Sequence, residues 1–324
     1  MKRIFITNVF LFLCFLSIFS QKALCFDANG KFKIVQFTDV HYIHNDLQAL
    51  SALENIRKVI SSEHPDLVIF TGDIIFGKPA AESLLDVLDV VSSFEVPFAL
   101  TFGNHDHEQG VSNMELYQLS KRYKMNVTGR YDINSDYVLK LYSSDGSGKC
   151  AGLLYCMDSN TYAQDKSVGG YGWFTSEQLS WYRKISTEVL LEHQTSLPSL
   201  AFFHIPLPEY DYALSEKAPM IGTCLEKVCA PVINTGLFAT MRLQGDVMGI
   251  FVGHDHDNDF ATLYRNILLC YGRYSGGNTV YNHLMNGARV IEMYEGKREF
   301  KSWIRLSDNS ICNELVYPES FLKK

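Results

Sequence analysis

Along this chain, short apolar runs end abruptly in polar clusters, and stretches of helical periodicity follow them. Phe32 to Phe37 has the β-branched and aromatic content of a strand and runs into Thr38-Asp39-Val40-His41. From Leu47 to Ile60, apolar residues recur at Leu50, Leu53, Ile56 and Ile60, the spacing of one helix face. Leu67 to Phe70 predicts a second strand, ending in Thr71-Gly72-Asp73, with a helix over 83–91. A third strand, Pro97 to Phe102, ends in Gly103-Asn104-His105-Asp106 and precedes a helical stretch over 114–123. Alternation of this kind predicts βαβ units around a largely parallel sheet.

The second half keeps the strands and spaces them more loosely. Gly152 to Met157 predicts a strand, and 175–191 a long helix packed through Trp173, Leu179 and Trp181. Leu200 to Phe203 runs into His204-Ile205-Pro206, and Met248 to Val252 into Gly253-His254-Asp255-His256. Between them, 207–243 reads as a long loop region with one or two short helices. Short strands at 267–271, 290–294 and 300–304 are expected to complete a second sheet. No linker, low-complexity tract or repeat divides the chain. Residues 26–324 are therefore read as a single α/β domain, near the upper size for one core.

The N-terminus changes the picture of where the protein works. Lys2 and Arg3 precede an almost unbroken apolar stretch from Val9 to Phe19, and Ala23-Leu24-Cys25 offers small residues for a cut before Phe26. Residues 1–25 thus read as a secretory signal, placing the protein outside the cell or in the secretory lumen. An uncleaved anchor is the competing reading, but the run is short for a bilayer span, so no stable membrane span is expected. A lipidated Cys25 is a further alternative, against which Lys22 occupies an aliphatic position of the lipidation motif. Six cysteines remain beyond the signal: Cys150, Cys156, Cys224, Cys229, Cys270 and Cys312. In an exported chain they suit disulfides, with Cys224 and Cys229 able to close a small loop, while buried free thiols stay the alternative. Asn126-Val127-Thr128 is a glycosylation sequon. The formal charge is −7, and without residues 1–25, which hold Lys2, Arg3, Lys22 and no acid, it is −10. That argues against nucleic acid as a bulk electrostatic partner.

The polar clusters share a position: each directly follows a predicted strand. In α/β sheets, ligands gather beyond the carboxyl ends of strands. Asp39, His41, Asp73, Asn104, His204, His254 and His256 would then converge on one rim. Two carboxylates, an amide and four imidazoles are enough to hold two metal ions, and this donor set suits Zn, Mn or Fe. Asp73 is the natural bridge, able to lend an oxygen to each ion.

Taken in order, Thr38-Asp-Val-His41, Thr71-Gly-Asp73, Gly103-Asn-His-Asp106, His204 and Gly253-His-Asp-His256 resemble the D-x-H, G-D, G-N-H-D/E, H and G-H-x-H blocks of the calcineurin-like metallophosphoesterases. The resemblance covers about residues 33–256. It implies a four-layer α/β/β/α sandwich of two mixed sheets flanked by helices. It also implies one metal held by Asp39, His41, Asp73 and His256, and another by Asp73, Asn104, His204 and His254. Within that superfamily the chain is similar to secreted acid phosphatases related to the purple acid phosphatases. It departs from the true purple enzymes at Phe76, where they carry a tyrosine, and at His41, which they lack.

The implied activity is hydrolysis of small phosphate esters, most simply monoesters, by a hydroxide bridging two metal ions. His105 is the candidate general acid for the leaving oxygen. Asp106 would either orient His105 or cap the following helix. Arg273, in Tyr271-Gly272-Arg273-Tyr274, either reaches substrate or turns a hairpin. Asp255 and Asp257 are expected to cap loops or to support the histidine ligands. His44 and His107, beside the motifs, either line the cleft or stay as loop residues. The same metal core would serve a phosphodiesterase acting on cyclic nucleotides, nucleic acid ends or a phospholipid headgroup, the difference lying in segments 158–172 and 207–243. A catalytically silent binding protein on this fold is the alternative of another class.

Overall fold

The computed structural model describes residues 23–129 and 135–322. Residues 1–22 of the expected signal lie outside them. Leu24 and Phe26 are described, and both are buried. The Phe26 N–H donates to the Tyr142 carbonyl and the Tyr142 N–H to that of Leu24. Residues just ahead of the expected cut at Phe26 therefore pair with the edge of a sheet. No helix among the described residues is long and apolar enough to cross a membrane.

Among the described residues, thirteen strands and six α-helices follow in chain order: β1 Lys31–Phe37, α1 Leu50–Glu63, β2 Leu67–Thr71, α2 Ala80–Ser92, β3 Phe98–Thr101, α3 Asn113–Ser120, β4 Tyr137–Tyr142, β5 Cys150–Cys156 and α4 Ser176–His193. Then come β6 Ser199–Phe202, α5 Glu209–Ser215, β7 Met220–Ile221, α6 Leu237–Gln244, β8 Val247–Val252, β9 Ala261–Tyr264, β10 Ile267–Tyr271, β11 Gly287–Tyr294, β12 Phe300–Leu306 and β13 Ile311–Tyr317. One sheet has the order β13-β12-β11-β1-β2-β3 and the other β4-β5-β6-β8-β10-β9-β7. Both are mixed. β1, β2 and β3 run parallel, as do β5, β6, β8 and β10, with antiparallel strands at the flanks.

The period of two explains the layering. Along β2, Leu67 and Ile69 face the space between the sheets, while Val68 and Phe70 face the helices α1 and α2. Along β5, Leu154 and Cys156 point between the sheets, and Leu153 and Tyr155 toward α4. Strands apolar on both faces are what a sheet buried on both sides requires. The product is the four-layer α/β/β/α sandwich expected from the motifs. α4 begins at a reciprocal capping box, Thr175 with Gln178, which fixes its start and buries Trp181 and Tyr182.

One expectation needs correction. The strands at 290–294 and 300–304 do not complete the second sheet. β11 pairs antiparallel with β1, in register from Lys31–Tyr294 to Gln36–Arg289, and so extends the first sheet. Covering the free edge of β1 is the reason, since an open edge strand is left with unpaired backbone groups. Of the two readings of the cysteines, paired or free, the described residues show no pairing. All seven described cysteines are free thiols, and Cys150, Cys156 and Cys270 are buried. The sequon is likewise closed in the folded chain: Asn126 is 6% exposed, and its Nδ2 donates to Ser120 Oγ at 2.7 Å.

Candidate metal centre

The loops leaving β1, β2, β3, β6 and β8 carry the seven candidate ligands, each within four residues of a strand end. Turning a chain off a strand so sharply demands unusual backbone. Asp39, His41, Asp73 and His254 all have positive φ, at 53°, 46°, 49° and 79°. Non-glycine residues in that region are uncommon and gather where function fixes the geometry. Two motif glycines allow the loops to close on one another. A Cβ on Gly103 would lie 2.2 Å from Asp73 Oδ1, and one on Gly253 1.8 Å from Thr38 Oγ1.

Two groups of donor atoms result. Asp39, His41 and His256 form one, and Asp73, His204 and His254 the other, all buried. In the first, His41 Nε2 faces His256 Nε2 at 3.1 Å, and Asp39 Oδ1 lies 3.7 Å from His256 Nε2. In the second, His204 Nε2 lies 3.0 Å from Asp73 Oδ2 and 3.3 Å from His254 Nδ1. Asp73 Oδ2 is also 3.8 Å from His41 Nε2, so one oxygen faces both groups. Its other oxygen, Oδ1, accepts the His105 N–H at 2.8 Å. A single oxygen of Asp73 thus faces both groups, where the sequence reading offered one oxygen to each.

The chemistry of these donors fits divalent cations. His256 Nδ1 donates to the Tyr281 carbonyl at 2.9 Å and His204 Nδ1 to that of Thr71 at 2.9 Å. Each of those rings is thereby left with a lone pair on Nε2, aimed at another imidazole nitrogen. Asn104 Oδ1 is buried without a hydrogen-bond partner, an orphaned acceptor of the kind that a cation would satisfy. Burial holds His41 and His254 well below the ordinary histidine range, keeping both neutral and able to coordinate. At His204 burial opposes charge, yet Asp73 overrides it and raises the ring to about 10.

Around the donors, several side chains sit where the sequence did not place them. Asp106 does not touch the His105 ring. Its carboxylate is fully buried and accepts four backbone N–H groups: those of Gly103 and Asp73 on Oδ2, and those of Ile74 and Ile75 on Oδ1. It ties the β3 loop to the β2 loop. The partner of His105 is Glu108, whose Oε2 lies 2.6 Å from Nδ1 across a single 3₁₀ turn over 106–109. The three-residue spacing from His105 to Glu108 was the available signal. Phe76 packs edge-on against both His41 and His105, each at 5.0 Å between ring centroids.

Other candidates lie outside the centre. Arg273 is buried against Asp259 and the Met285 carbonyl, away from any substrate role. Asp255 accepts from Tyr271 OH at 2.5 Å and from the Cys229 N–H, and Asp257 from His283. Neither is hydrogen-bonded to a candidate histidine; backbone carbonyls hold His204 and His256. His44 pairs with Asp86 at 2.6 Å. At the rim, sequence reasoning missed Tyr162, Tyr171, Tyr281 and Glu226. Tyr162 OH accepts from Asn104 Nδ2 at 3.1 Å and donates to Glu108 Oε1 at 2.9 Å.

Comparison with known proteins agrees with this geometry. The family model described as calcineurin-like phosphoesterase matches residues 32–258. An Arabidopsis thaliana protein named probable inactive purple acid phosphatase 29 is 30% identical over 90% of this chain and 86% of its own length. The Saccharomyces cerevisiae phosphatase DCR2 is 31% identical over 86% of this chain, which spans 54% of that protein. Among solved structures, a dimetal phosphatase from Danio rerio superposes with a TM-score of 0.62 over 90% of this chain and 99% of its own, at 14% identity, a likeness of fold. The chain belongs to the calcineurin-like phosphoesterase family and is a metal-dependent phosphoesterase.

Proposed function

We propose that this protein is an exported phosphatase of small phosphomonoesters, with Asp39, His41, Asp73 and His256 holding one metal ion and Asp73, Asn104, His204 and His254 the other. The observation that carries the reading is Asp73 Oδ2, one buried oxygen facing both donor groups. When bound, the two ions supply a nucleophilic water and charge neutralisation at the phosphoryl group; whether they are Zn, Mn or Fe is left open by these donors.

The chain's own residues divide the remaining work. Asp73 fixes the distance between the two donor groups, and its second oxygen anchors the backbone of His105. Glu108 holds His105 through Nδ1, which leaves Nε2 for the ester. Held so, the imidazole gives its proton to the departing alcohol oxygen. Glu108 stabilises the ring in its charged form before transfer, and keeps the tautomer fixed after it. Phe76, packed against His105 and His41, limits water around both rings.

Three plant relatives carry names that call them probable inactive phosphatases. A complete donor set with an oriented imidazole beside it favours catalysis for this chain over silent binding. Export is supported by the basic and apolar pattern of residues 1–25. The deciding experiment compares phenyl phosphate with its diester analogue on metal-loaded protein. A monoesterase turns over the first far faster. Equal or faster diester hydrolysis would overturn the monoester assignment.

A further inference from the structure

Two tyrosines beside the centre are held rigidly and still face solvent. Tyr162 is fixed at its hydroxyl by Asn104 and Glu108, and its ring stacks on Tyr171 at 5.9 Å and 23°. Tyr171 in turn meets His254 edge-on at 4.3 Å. Tyr162 nevertheless remains 42% exposed. Beside the other donor group, the Tyr281 ring lies over His256 at 4.6 Å and 29°, and its hydroxyl donates to Glu226 Oε2 at 2.9 Å. Tyr281 remains 54% exposed. Each donor group therefore has one pinned, half-open tyrosine next to it.

Shielding the candidate histidines does not account for Tyr162. Tyr171 shields His254 already, and Tyr162 stands one ring further out. Pinning a side chain loses rotamer freedom, and leaving an aromatic face in water forgoes the burial that aromatic rings contribute elsewhere. Both costs are recovered when a flat group covers the exposed faces. The charge pattern narrows what that group is. Both hydroxyls end on glutamates, Glu108 and Glu226, and no lysine or arginine is among the hydrogen-bond or ring partners described for either tyrosine. A leaving group bearing further phosphates would meet carboxylates here; an uncharged aromatic one would meet aromatic faces.

We infer that Tyr162 and Tyr281 form an aromatic subsite that selects phosphate esters of planar aromatic alcohols over aliphatic ones. The inference rests on the phosphoesterase reading and names the substrate class for that site. It is tested by calorimetric binding of phenylphosphonate and cyclohexylphosphonate to the metal-loaded full chain, with inorganic phosphate as reference. The two phosphonates share the charged group, cannot be hydrolysed, and differ in the flatness of the ring. Phenylphosphonate is expected to bind about three- to tenfold more tightly, the advantage of aromatic over aliphatic packing. Tyr281→Leu should bring that ratio close to one while phosphate binding persists, because the Tyr281 backbone carbonyl that holds His256 is retained. Tyr162→Leu should act likewise, with metal content measured alongside because Tyr162 also touches Asn104. Equal affinities in the parent protein, or a ratio that survives both substitutions, would overturn the aromatic subsite. Failure of phosphate and both phosphonates to bind a protein carrying two metal ions would instead overturn the phosphoesterase reading on which it rests.

Discussion

The donor residues at the strand ends and the residues at the mouth of the centre are held in different ways. Asp39, Asp73, His204 and His256 are buried, and the backbone holds them. The Thr71 and Tyr281 carbonyls fix two rings, while the His105 and His254 N–H groups reach Asp73 and Asp39. Glu108, Tyr162 and Tyr281 are open to solvent and held by side chains, Tyr162 and Tyr281 by glutamates on distant loops and Glu108 also by His105 in its own turn. Backbone anchoring within a few residues of a strand end leaves little freedom, so the donors are rigid and their chemistry is fixed. Side-chain anchoring between loops can be re-formed around different substrates. The floor carries the reaction, and the mouth chooses what reaches it.

The sharpest way to break this division is at its shared oxygen. Asp73→Ala removes a donor from both groups. Several kcal/mol of charge stabilisation from each ion would go with it, and turnover should fall by more than about 10⁴-fold, with metal content dropping by elemental analysis. His105→Ala should keep both metal ions and lose about 10²–10⁴ in turnover, less for substrates with good leaving groups. An unchanged rate on an alkyl phosphate would move the acid role elsewhere. Asp106→Ala separates holding from chemistry in the other direction. It orphans four backbone N–H groups, so a loss of about 3–5 kcal/mol in denaturant unfolding is expected. Normal stability with lost activity would restore the catalytic role the sequence suggested. Glu108→Gln keeps the hydrogen bond but not the charge, and about a tenfold loss in turnover is expected, with metal content unchanged. Phe76→Tyr should have the smallest effect. His41 already fills that side of the first group, so neither the parent nor the variant should show a visible phenolate band when loaded with iron. A strong band in either would mean that the first group is assembled differently.

What could be read from the sequence follows the same division. The seven candidate positions could be named because each lies near a strand end within a fixed motif, and local spacing decides where such a residue points. The sandwich was expected from the resemblance that those motifs carry, and strands apolar on both faces, such as Leu67–Phe70, agree with it. β13 was missed because only Leu315 and Tyr317 of its seven residues are buried, as an edge strand allows; β4 carries the alternating burial of a strand and was passed over all the same. The sheet that receives β11 and β12 is a matter of long-range pairing, which periodicity does not contain. Asp106 stayed open between orienting His105 and capping a helix, because proximity in sequence to His105 says nothing about which of its neighbours the carboxylate faces. Tyr162, Tyr171 and Tyr281 fell in loops without a period. Segment 158–172 was expected to shape the cleft, and nothing in it identified which side chains do so.

The account turns on two metal ions sharing Asp73. Its most direct test is the metal stoichiometry of protein purified without chelator, by elemental analysis, followed stepwise as metal is returned to stripped protein while phosphatase activity is measured. Two ions per chain, with activity appearing only as the second site fills, is the result expected. A reproducible stoichiometry of one with full activity would contradict the shared-oxygen centre.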